Sequence, residues 1–182
     1  MILLIGPSAS GKTEIAKLLE MKYQLKKVIT TTTRPIRAGE KNDVDYHFCD
    51  KEKFLKKIEN NDFVEYTLYN GNYYGTTKDE LSNDKVVILD PSGIKSFLKL
   101  DNPSFVSFYL NASIETRIKR MKIRGDNETD IISRISNDKE SFAKEKLPTT
   151  DYSLVTDDDS IENLTEKVKN LYFETLKKRG IA

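Results

Sequence analysis

The sequence lacks the residues on which secreted, zinc-binding and membrane proteins depend. Its 182 residues include one cysteine, Cys49, so an intramolecular disulfide is excluded. Because the chain also has a single histidine, His47, a zinc site built from several cysteines and histidines is excluded as well. The apolar run Met1–Ile5 stops at Gly6 and is too short for a signal-peptide core or a membrane span. We therefore expect a cytoplasmic protein without a membrane partner.

An excess of charge of one sign is absent too. The chain has 30 Lys and Arg residues against 29 Asp and Glu residues, which gives a formal net charge of +1. No overall basic field exists to hold nucleic acid, so any anion-binding site must be local. The sequence contains no repeats or low-complexity tracts, and its length suits one globular domain. We expect one domain, residues 1–182, present as a monomer or homodimer.

Strand-like and helix-like patterns alternate along much of the chain. Met1–Ile5 is continuously apolar, which is typical of a strand buried on both faces, and a helical pattern follows it. Val86–Leu89 and Phe105–Leu110 are two more such runs, each followed by a helical pattern. A last strand is expected over Tyr152–Val155 before a C-terminal helix. This order predicts a parallel sheet with helices on both sides.

Two segments depart from this alternation. Residues 31–85 contain short strand-like stretches, with Asp50 as the predicted N-cap of a helix that ends near Asn60. The stretches are Tyr46–Phe48, Phe63–Leu68 and Asn72–Tyr74. We expect a small α+β insert here. Residues 122–146 are polar and highly charged, and we expect a mobile lid there. The core would then comprise residues 1–30, 86–121 and 147–182.

Residues 6–13 carry the most specific motif, Gly-Pro-Ser-Ala-Ser-Gly-Lys-Thr, which matches G-x-x-x-x-G-K-[ST] between a predicted strand and a predicted helix. The glycines let the backbone curl so that its N–H groups surround phosphate at the positive end of the helix. Lys12 would reach the β- and γ-phosphates of ATP, and the Thr13 hydroxyl would ligate Mg²⁺. The predicted ATP-binding residues of this loop are Gly6, Ser8, Ala9, Ser10, Gly11, Lys12 and Thr13.

Asp90 ends the apolar strand that begins at Val86. A carboxylate at this place lies near the Mg²⁺ and its waters in many P-loop proteins, so we predict Asp90 as a second metal residue beside Thr13. The alternative is an aspartate that caps the following helix. The phosphate loop alone leaves the reaction class open, because kinases, GTPases, motors and transporters all use it.

A hydroxyl run, residues 30–33, precedes two arginines, Arg34 and Arg37. Pro35 prevents a regular helix between them, so both guanidinium groups can converge on a phosphate dianion. Downstream tyrosines and a threonine add neutral donors. Glu65 can accept hydrogen bonds from the N1–H/N2–H edge, which guanine has and adenine lacks.

The order of these motifs resembles the guanylate kinase family over nearly the whole chain. The resemblance implies an α/β protein with the P-loop NTPase fold, in which a parallel sheet flanked by helices carries an acceptor-binding insert and a lid. It also implies transfer of a phosphoryl group from Mg-ATP to GMP. Glu65 and Thr30 would read the guanine edge, and Glu40 would support the arginine loop. The implied GMP-binding residues are Thr30, Arg34, Arg37, Glu40, Tyr46, Glu65, Tyr74 and Thr76.

The resemblance also places basic lid residues near the ATP phosphates. Arg120 and Arg124 are expected to bind ATP, whereas we expect Arg117 to lie on an ordinary charged helix face. Charge in the transition state is spread over the moving oxygens, so neutralisation and positioning matter more than a base. The predicted catalytic residues are Lys12, Arg37, Arg120 and Arg134. His47 and Cys49 are expected to be structural.

Two features keep other functions open. The family's second acidic residue after the Asp90 strand is absent here or replaced by Ser92, and Thr156 stands where an asparagine is usual. One alternative is a P-loop kinase for another phosphorylated acceptor such as a ribose bisphosphate, against which Glu65 argues. The other is a non-catalytic guanylate-kinase-like binding module, against which the intact phosphate loop argues.

Overall fold

The computed structural model describes residues 1–37, 39–69 and 71–181. Its strands are β1 (Ile2–Ile5), β2 (Lys26–Lys27), β3 (Thr31–Thr32), β4 (His47–Phe48), β5 (Phe63–Tyr69), β6 (Asn72–Thr77), β7 (Lys85–Leu89), β8 (Val106–Asn111) and β9 (Tyr152–Val155). Its α-helices are α1 (Lys12–Tyr23), α2 (Lys51–Glu59), α3 (Pro91–Leu98), α4 (Ile114–Arg124), α5 (Glu128–Ser141) and α6 (Ile161–Lys178).

A parallel sheet forms the core, with the strand order β2-β7-β1-β8-β9. β1 lies in its centre, where Ile2 is opposite Val86 on one side and Val106 on the other. Alternate residues of β1 point to opposite faces. Ile2 and Leu4 pack in a cluster with α1 and α6, and Leu3 packs in a second cluster with α3. The predicted parallel sheet with helices on both faces is confirmed.

A second sheet contains the strands of the predicted insert, in the order β4-β3-β6-β5. β3 pairs in parallel with β4, whereas β6 is antiparallel to both β3 and β5. Helix α2 covers this sheet through Phe54, whose ring stacks on Phe63 at 4.4 Å and on Tyr73 at 5.2 Å between centroids. The Asp50 carboxylate accepts from the Lys53 N–H at 2.7 Å, so Asp50 is the N-cap that the sequence predicts.

Glu80 links the two sheets at the point where the chain passes between them. Its buried carboxylate accepts from the Ile29 N–H at 3.0 Å, where the chain leaves the first sheet (the outward crossing). It also accepts from Lys85 Nζ at 2.7 Å, where the chain returns to the first sheet (the return crossing). His47 of β4 contacts the same carboxylate at 3.2 Å. The single histidine therefore has a structural contact at the junction.

The predicted lid segment, residues 122–146, contains all of α5 and the end of α4. Helix α4 ends at Arg124, followed by Gly125 in the left-handed conformation with a φ of 87°, and Asn127 caps α5. Gly125 thus forms the turn between the two helices. None of the helices formed by the described residues combines the length and apolar character needed to cross a bilayer.

Candidate active site

The phosphate loop connects β1 to α1 and requires glycine at its first position. A Cβ atom on Gly6 would lie 2.1 Å from the Leu110 carbonyl oxygen of β8, so no larger residue fits there. Ala9 and Gly11 have φ values of 60° and 98°, which turn the backbone back on itself before α1 begins at Lys12. The loop therefore has the tight curvature that a phosphate nest needs.

Lys12 folds over its own loop. Its Nζ donates to the Gly6 and Pro7 carbonyl oxygens at 2.6 and 2.7 Å. Burial lowers the pKa of Lys12 to about 8; the nearby Asp138 carboxylate raises it and the Arg117 guanidinium lowers it. The ammonium group is thus poorly solvated in the free protein, and an added anion would stabilise its charged form.

A cleft of about 370 Å³ opens beside the loop. Arg120 borders it and donates from its guanidinium to the Ala9 carbonyl oxygen at 3.2 Å and to Thr156 Oγ1 at 3.1 Å. Thr156 Oγ1 in turn donates to the Ser10 carbonyl oxygen at 3.1 Å. The cleft is lined by Ala9, Gly11, Lys12, Thr13, Glu14, Arg120, Ile123, Arg124 and Ile161.

The other predicted lid arginines lie in different surroundings. Arg124 lines the cleft and is paired with Asp126. Arg134 is half-exposed, and its Nε lies 3.9 Å from the same Asp126 carboxylate. The structure therefore brings Arg120 and Arg124 to the loop, whereas the contact of Arg134 is with Asp126. The catalytic role of Arg134 stays a prediction.

Arg117 does not lie on an ordinary charged helix face, so that expectation was wrong. Arg117 is only 6% exposed. Its Nε donates to the Ser8 carbonyl oxygen at 2.8 Å, and its terminal guanidinium nitrogen is paired with the Asp138 carboxylate of α5. The sequence of α4 has charged residues around the helix, so it does not indicate which face of the helix packs on the phosphate loop. The pairing with Asp138 depends on how α4 and α5 fold back, which the sequence does not specify locally.

The arginine loop and two tyrosines come together at the second sheet. Arg34 donates to Glu40 Oε1 at 2.7 Å, and Glu40 Oε2 accepts from the Arg37 N–H at 2.8 Å. The guanidinium of Arg34 lies 5.2 Å from the ring centroid of Tyr46. The ring centroids of Tyr46 and Tyr74 are 6.3 Å apart. Glu40 therefore supports the arginine loop, as predicted, and the Arg37 side chain is exposed.

Glu65 lies in a separate pocket of about 320 Å³ between the second sheet and α3. Its Oε1 accepts from the Thr76 N–H at 3.1 Å. Burial raises the pKa of Glu65; the hydrogen bond from Thr76 lowers it and the Asp90 carboxylate raises it further. Thr30 contributes its carbonyl oxygen to the His47 N–H just before β3. Thr76 thus positions Glu65 by its backbone.

Asp90 and Ser92 line the same pocket as Glu65. Asp90 is the strand-ending carboxylate itself, so the expectation that the family's second acidic residue after it is absent or replaced by Ser92 stays a prediction; the Asp90 carboxylate contributes to the raised pKa of Glu65. Asp90 Oδ1 also accepts from the Ser92 and Gly93 N–H groups at 2.9 and 2.6 Å, so it caps α3. Asp90 therefore caps α3 and lines the Glu65 pocket at the same time.

Comparison with known proteins identifies the family of the chain that carries these two clefts. A family model described as guanylate kinase matches residues 1–175. The chain belongs to the guanylate kinase family. A guanylate kinase from Hydrogenovibrio crunogenus is 36% identical over 145 residues, covering 76% of this chain and 71% of the relative. One from Caldanaerobacter subterraneus is 34% identical over 178 residues, covering 93% and 84%.

A solved structure supports the fold of this guanylate kinase family member. The crystal structure of guanylate kinase from Anaplasma phagocytophilum aligns with a TM-score of 0.65 and 23% identity, covering 100% of this chain and 95% of the other. The predicted α/β fold, with a parallel sheet flanked by helices, is thus shared with a known guanylate kinase structure.

The predicted Mg²⁺ would need ligands from the nucleotide and from water in addition to protein side chains. Within residues 1–37, 39–69 and 71–181, no cluster of three or more His, Cys, Asp or Glu side chains could hold a metal ion. Thr13 lines the phosphate-loop cleft, whereas Asp90 lines the Glu65 pocket. A hydroxyl beside a phosphate site fits Mg²⁺, which takes its other ligands from phosphate oxygens and water. The assignment of Asp90 to the metal stays a prediction.

Proposed function

We propose that this guanylate kinase family member transfers the γ-phosphoryl group of Mg-ATP to the phosphate of GMP, which yields ADP and GDP. The observation that carries the proposal is the presence of two dissimilar clefts in one chain. One is built on a glycine-rich phosphate loop with a partly buried lysine, and the other brings together the carboxylates of Glu65 and Asp90. The first suits a triphosphate, and the second suits a base that donates hydrogen bonds.

On the donor side, we assign phosphate binding to the loop amides, Lys12 and Arg120. The loop curvature gathers N–H groups at the start of α1, where the helix dipole favours an anion. Arg120 already contacts the Ala9 carbonyl oxygen, so a small movement of its side chain would bring it onto the phosphates. Arg124 lines the same cleft and would close it from the lid side.

On the acceptor side, we assign the GMP phosphate to Arg34 and Arg37, with Tyr46, Tyr74 and Thr76 in support. Arg34 is held by Glu40 and by the Tyr46 ring, so its planar fork is pre-oriented. Arg37 is exposed and its guanidinium can turn toward the phosphate. The two arginines would place two guanidinium groups against the phosphate dianion, and Arg34 would keep its contact with Glu40.

Guanine is read in the Glu65 pocket. The Glu65 carboxylate would accept from N1–H and N2–H of guanine, and Asp90 offers a second carboxylate on the wall of the same pocket. Partial burial of Glu65 makes its hydrogen bonds stronger, because fewer waters compete for its oxygens. Adenine has no donor at N1, so it would leave the partly buried Glu65 carboxylate without that partner.

The chemistry requires positioning more than proton transfer. Lys12, Arg37, Arg120 and Arg134 are proposed to neutralise the oxygens of the transferred group as the acceptor phosphate attacks in line. Bound Mg²⁺ would supply further charge neutralisation at the ATP phosphates, with the Thr13 hydroxyl among its ligands. Exclusion of water by the lid would prevent hydrolysis of ATP.

An ADP-release assay with Mg-ATP and a panel of acceptors tests the proposal. The panel contains GMP, dGMP, AMP, UMP, CMP and a ribose bisphosphate. We expect GMP to give a higher kcat/KM than the other ribonucleotides and the sugar phosphate. Preferential use of the ribose bisphosphate would contradict the guanine assignment, and no ADP release with any acceptor would indicate the non-catalytic binding module.

A further inference from the structure

Asp138 of α5 lies on the phosphate loop, although no motif marks it. Its Oδ2 accepts from the backbone N–H of Ser8 at 2.9 Å and is paired with Arg117. Both partners of this ion pair are well buried, with side-chain exposures of 7% for Arg117 and 11% for Asp138. A buried carboxylate therefore takes a backbone donor of the loop that otherwise binds phosphate.

The surroundings of Asp138 match those of a phosphate oxygen. A carboxylate oxygen and a phosphate oxygen both carry negative charge and accept from N–H groups and guanidinium ions. Asp138 also acts electrostatically on Lys12, the lysine expected to contact phosphate. It borders a cleft of about 500 Å³ that reaches Asp90, so it lies on the side of the loop that faces the acceptor.

The contact also holds the lid. Asp138 belongs to α5, and at the end of this helix Phe142 stacks on Tyr109 of β8, with 6.4 Å between the ring centroids. Arg117 donates to the Ser8 carbonyl oxygen while its partner accepts from the Ser8 N–H. The Arg117–Asp138 pair thus binds both polar groups of one residue of the loop and joins them to the lid.

We propose that the Asp138 carboxylate is an internal occupant of the donor-phosphate site, which holds α5 on the phosphate loop until the phosphates of Mg-ATP displace it. Displacement would release the Ser8 N–H and Arg117 together, so both become available to the nucleotide. The lid would then be re-docked through arginine-phosphate contacts. This inference rests on the proposed ATP site, and it adds a determinant of ATP affinity outside the glycine-rich motif.

Calorimetric titration of three proteins tests the inference: wild type, Asp138→Asn, and Glu140→Gln as the matched control. Glu140 lies on the same helix, and its side chain is 83% exposed. Each protein is titrated with Mg-AMPPNP, a non-hydrolysable ATP analogue, and with adenosine, which has no phosphate. We expect Asp138→Asn to tighten Mg-AMPPNP binding by roughly three- to tenfold, because a neutral amide holds the N–H less strongly and does not repel phosphate.

Adenosine binding should be the same in all three proteins, and Glu140→Gln should bind Mg-AMPPNP like wild type. Weaker or unchanged Mg-AMPPNP binding by Asp138→Asn would overturn the inference, since it would make Asp138 only a support for Arg117. The titrations contain no phosphoryl acceptor, so the binding result would stand even if GMP proved not to be the acceptor. Absence of Mg-AMPPNP binding to wild type would overturn both the inference and the donor site.

A second measurement needs no substitution, in case Asp138→Asn does not fold. In the ¹⁵N-labelled wild-type protein, the Ser8 amide resonance reports the acceptor of its N–H. We expect a large shift of this resonance on addition of Mg-AMPPNP and none on addition of adenosine. A through-hydrogen-bond coupling between the Ser8 nitrogen and a phosphorus of AMPPNP would support displacement. An unmoved Ser8 resonance in the saturated complex would overturn it.

Discussion

At the scale of single residues, the sequence predicts most directly those side chains whose proposed chemistry requires one residue type. A lysine after the second loop glycine and a carboxylate for a guanine edge follow from the ligand itself. The surroundings of Arg117 could not be predicted, because a buried arginine and an exposed one look alike in a charged helix. Asp138 was missed for the same reason, since its partners lie 21 and 130 positions away.

Lys12 should make ATP binding dependent on pH. Its pKa in the free protein is about 8, below the ordinary 10.5, so the charged form is lost as the pH rises through 8. If only the charged form binds phosphate, the Kd for Mg-ATP should rise about tenfold at one pH unit above this pKa. Titration of wild type between pH 6.5 and about 9.5 measures the effect, with Lys12→Arg as the control, because a guanidinium keeps its charge over this range.

The effect of Lys12 on stability has the opposite sign. Since its folded pKa is lowered, the unfolded chain binds more protons between pH 8 and 10.5, and this group makes the free protein more stable as the pH rises through that window. A flat Kd profile in wild type would contradict the assignment of Lys12 to the phosphates.

Arg34→Lys should weaken use of the acceptor. Lysine keeps the charge but loses the planar fork that Glu40 and Tyr46 orient, so we expect a loss of about 1–3 kcal/mol in kcat/KM for GMP. The Kd for Mg-ATP, measured on the same protein, should hardly change. A fall in ATP affinity with normal use of GMP would show that the donor and acceptor sites have been interchanged.

Glu65→Gln should reduce discrimination between bases. Loss of the charged acceptor is expected to cost about 1.5–3 kcal/mol in kcat/KM for GMP, whereas AMP gains little from Glu65 and should lose little. Asp90 remains in the pocket, so some preference for GMP should persist. Glu59→Gln, on the exposed surface of α2, is the control. Equal losses for GMP and AMP would mean that Glu65 supports the fold instead of reading the base.

At the scale of secondary structure, the long apolar strands, the short strand β4 and five of the six α-helices of the described residues were predicted, whereas β2, β3 and α5 were not. β2 and β3 have two residues each, too few for a pattern of alternation that would predict a strand. β3 forms because its threonines pair with β4 and β6, which lie far along the chain. Sheet partners therefore determine what local propensity leaves undecided.

The turn from β1 into α1 should tolerate no side chain at Gly6. In Gly6→Ala the new Cβ would meet the Leu110 carbonyl oxygen, and the backbone must shift, at a cost of about 1–3 kcal/mol in the free energy of unfolding. The shift would also move the loop amides, so binding of Mg-ATP should weaken. Urea unfolding and calorimetry measure the two effects.

Gly125→Ala is the matched control, because its Cβ would meet no atom within 4 Å although its φ is 87°. It should lower stability through backbone strain alone, by about 1–2 kcal/mol, and leave the Kd for Mg-ATP unchanged. Normal ATP binding by Gly6→Ala would show that the loop adapts and that the close approach to β8 is not required.

At the scale of the whole molecule, the two clefts should approach each other when both substrates bind. Direct transfer needs the reacting oxygens a few ångströms apart in a dry site, whereas the phosphate-loop cleft lies at the first sheet and the Glu65 pocket lies between the second sheet and α3. We expect small-angle scattering to show a smaller radius of gyration with Mg-AMPPNP and GMP together than without ligands. An identical scattering curve in both states would contradict closure of the insert and lid.

The junction at Glu80 has an evolutionary consequence. The outward and return crossings are tied to one carboxylate, through Ile29 and Lys85, so the second sheet departs from and rejoins the first at neighbouring points. Recombination confined to residues 31–85 could therefore replace most of the acceptor-recognising residues in one event if it preserved Glu80 and Lys85. The lineage would change the recipient of the phosphoryl group while inheriting intact the apparatus that holds its donor.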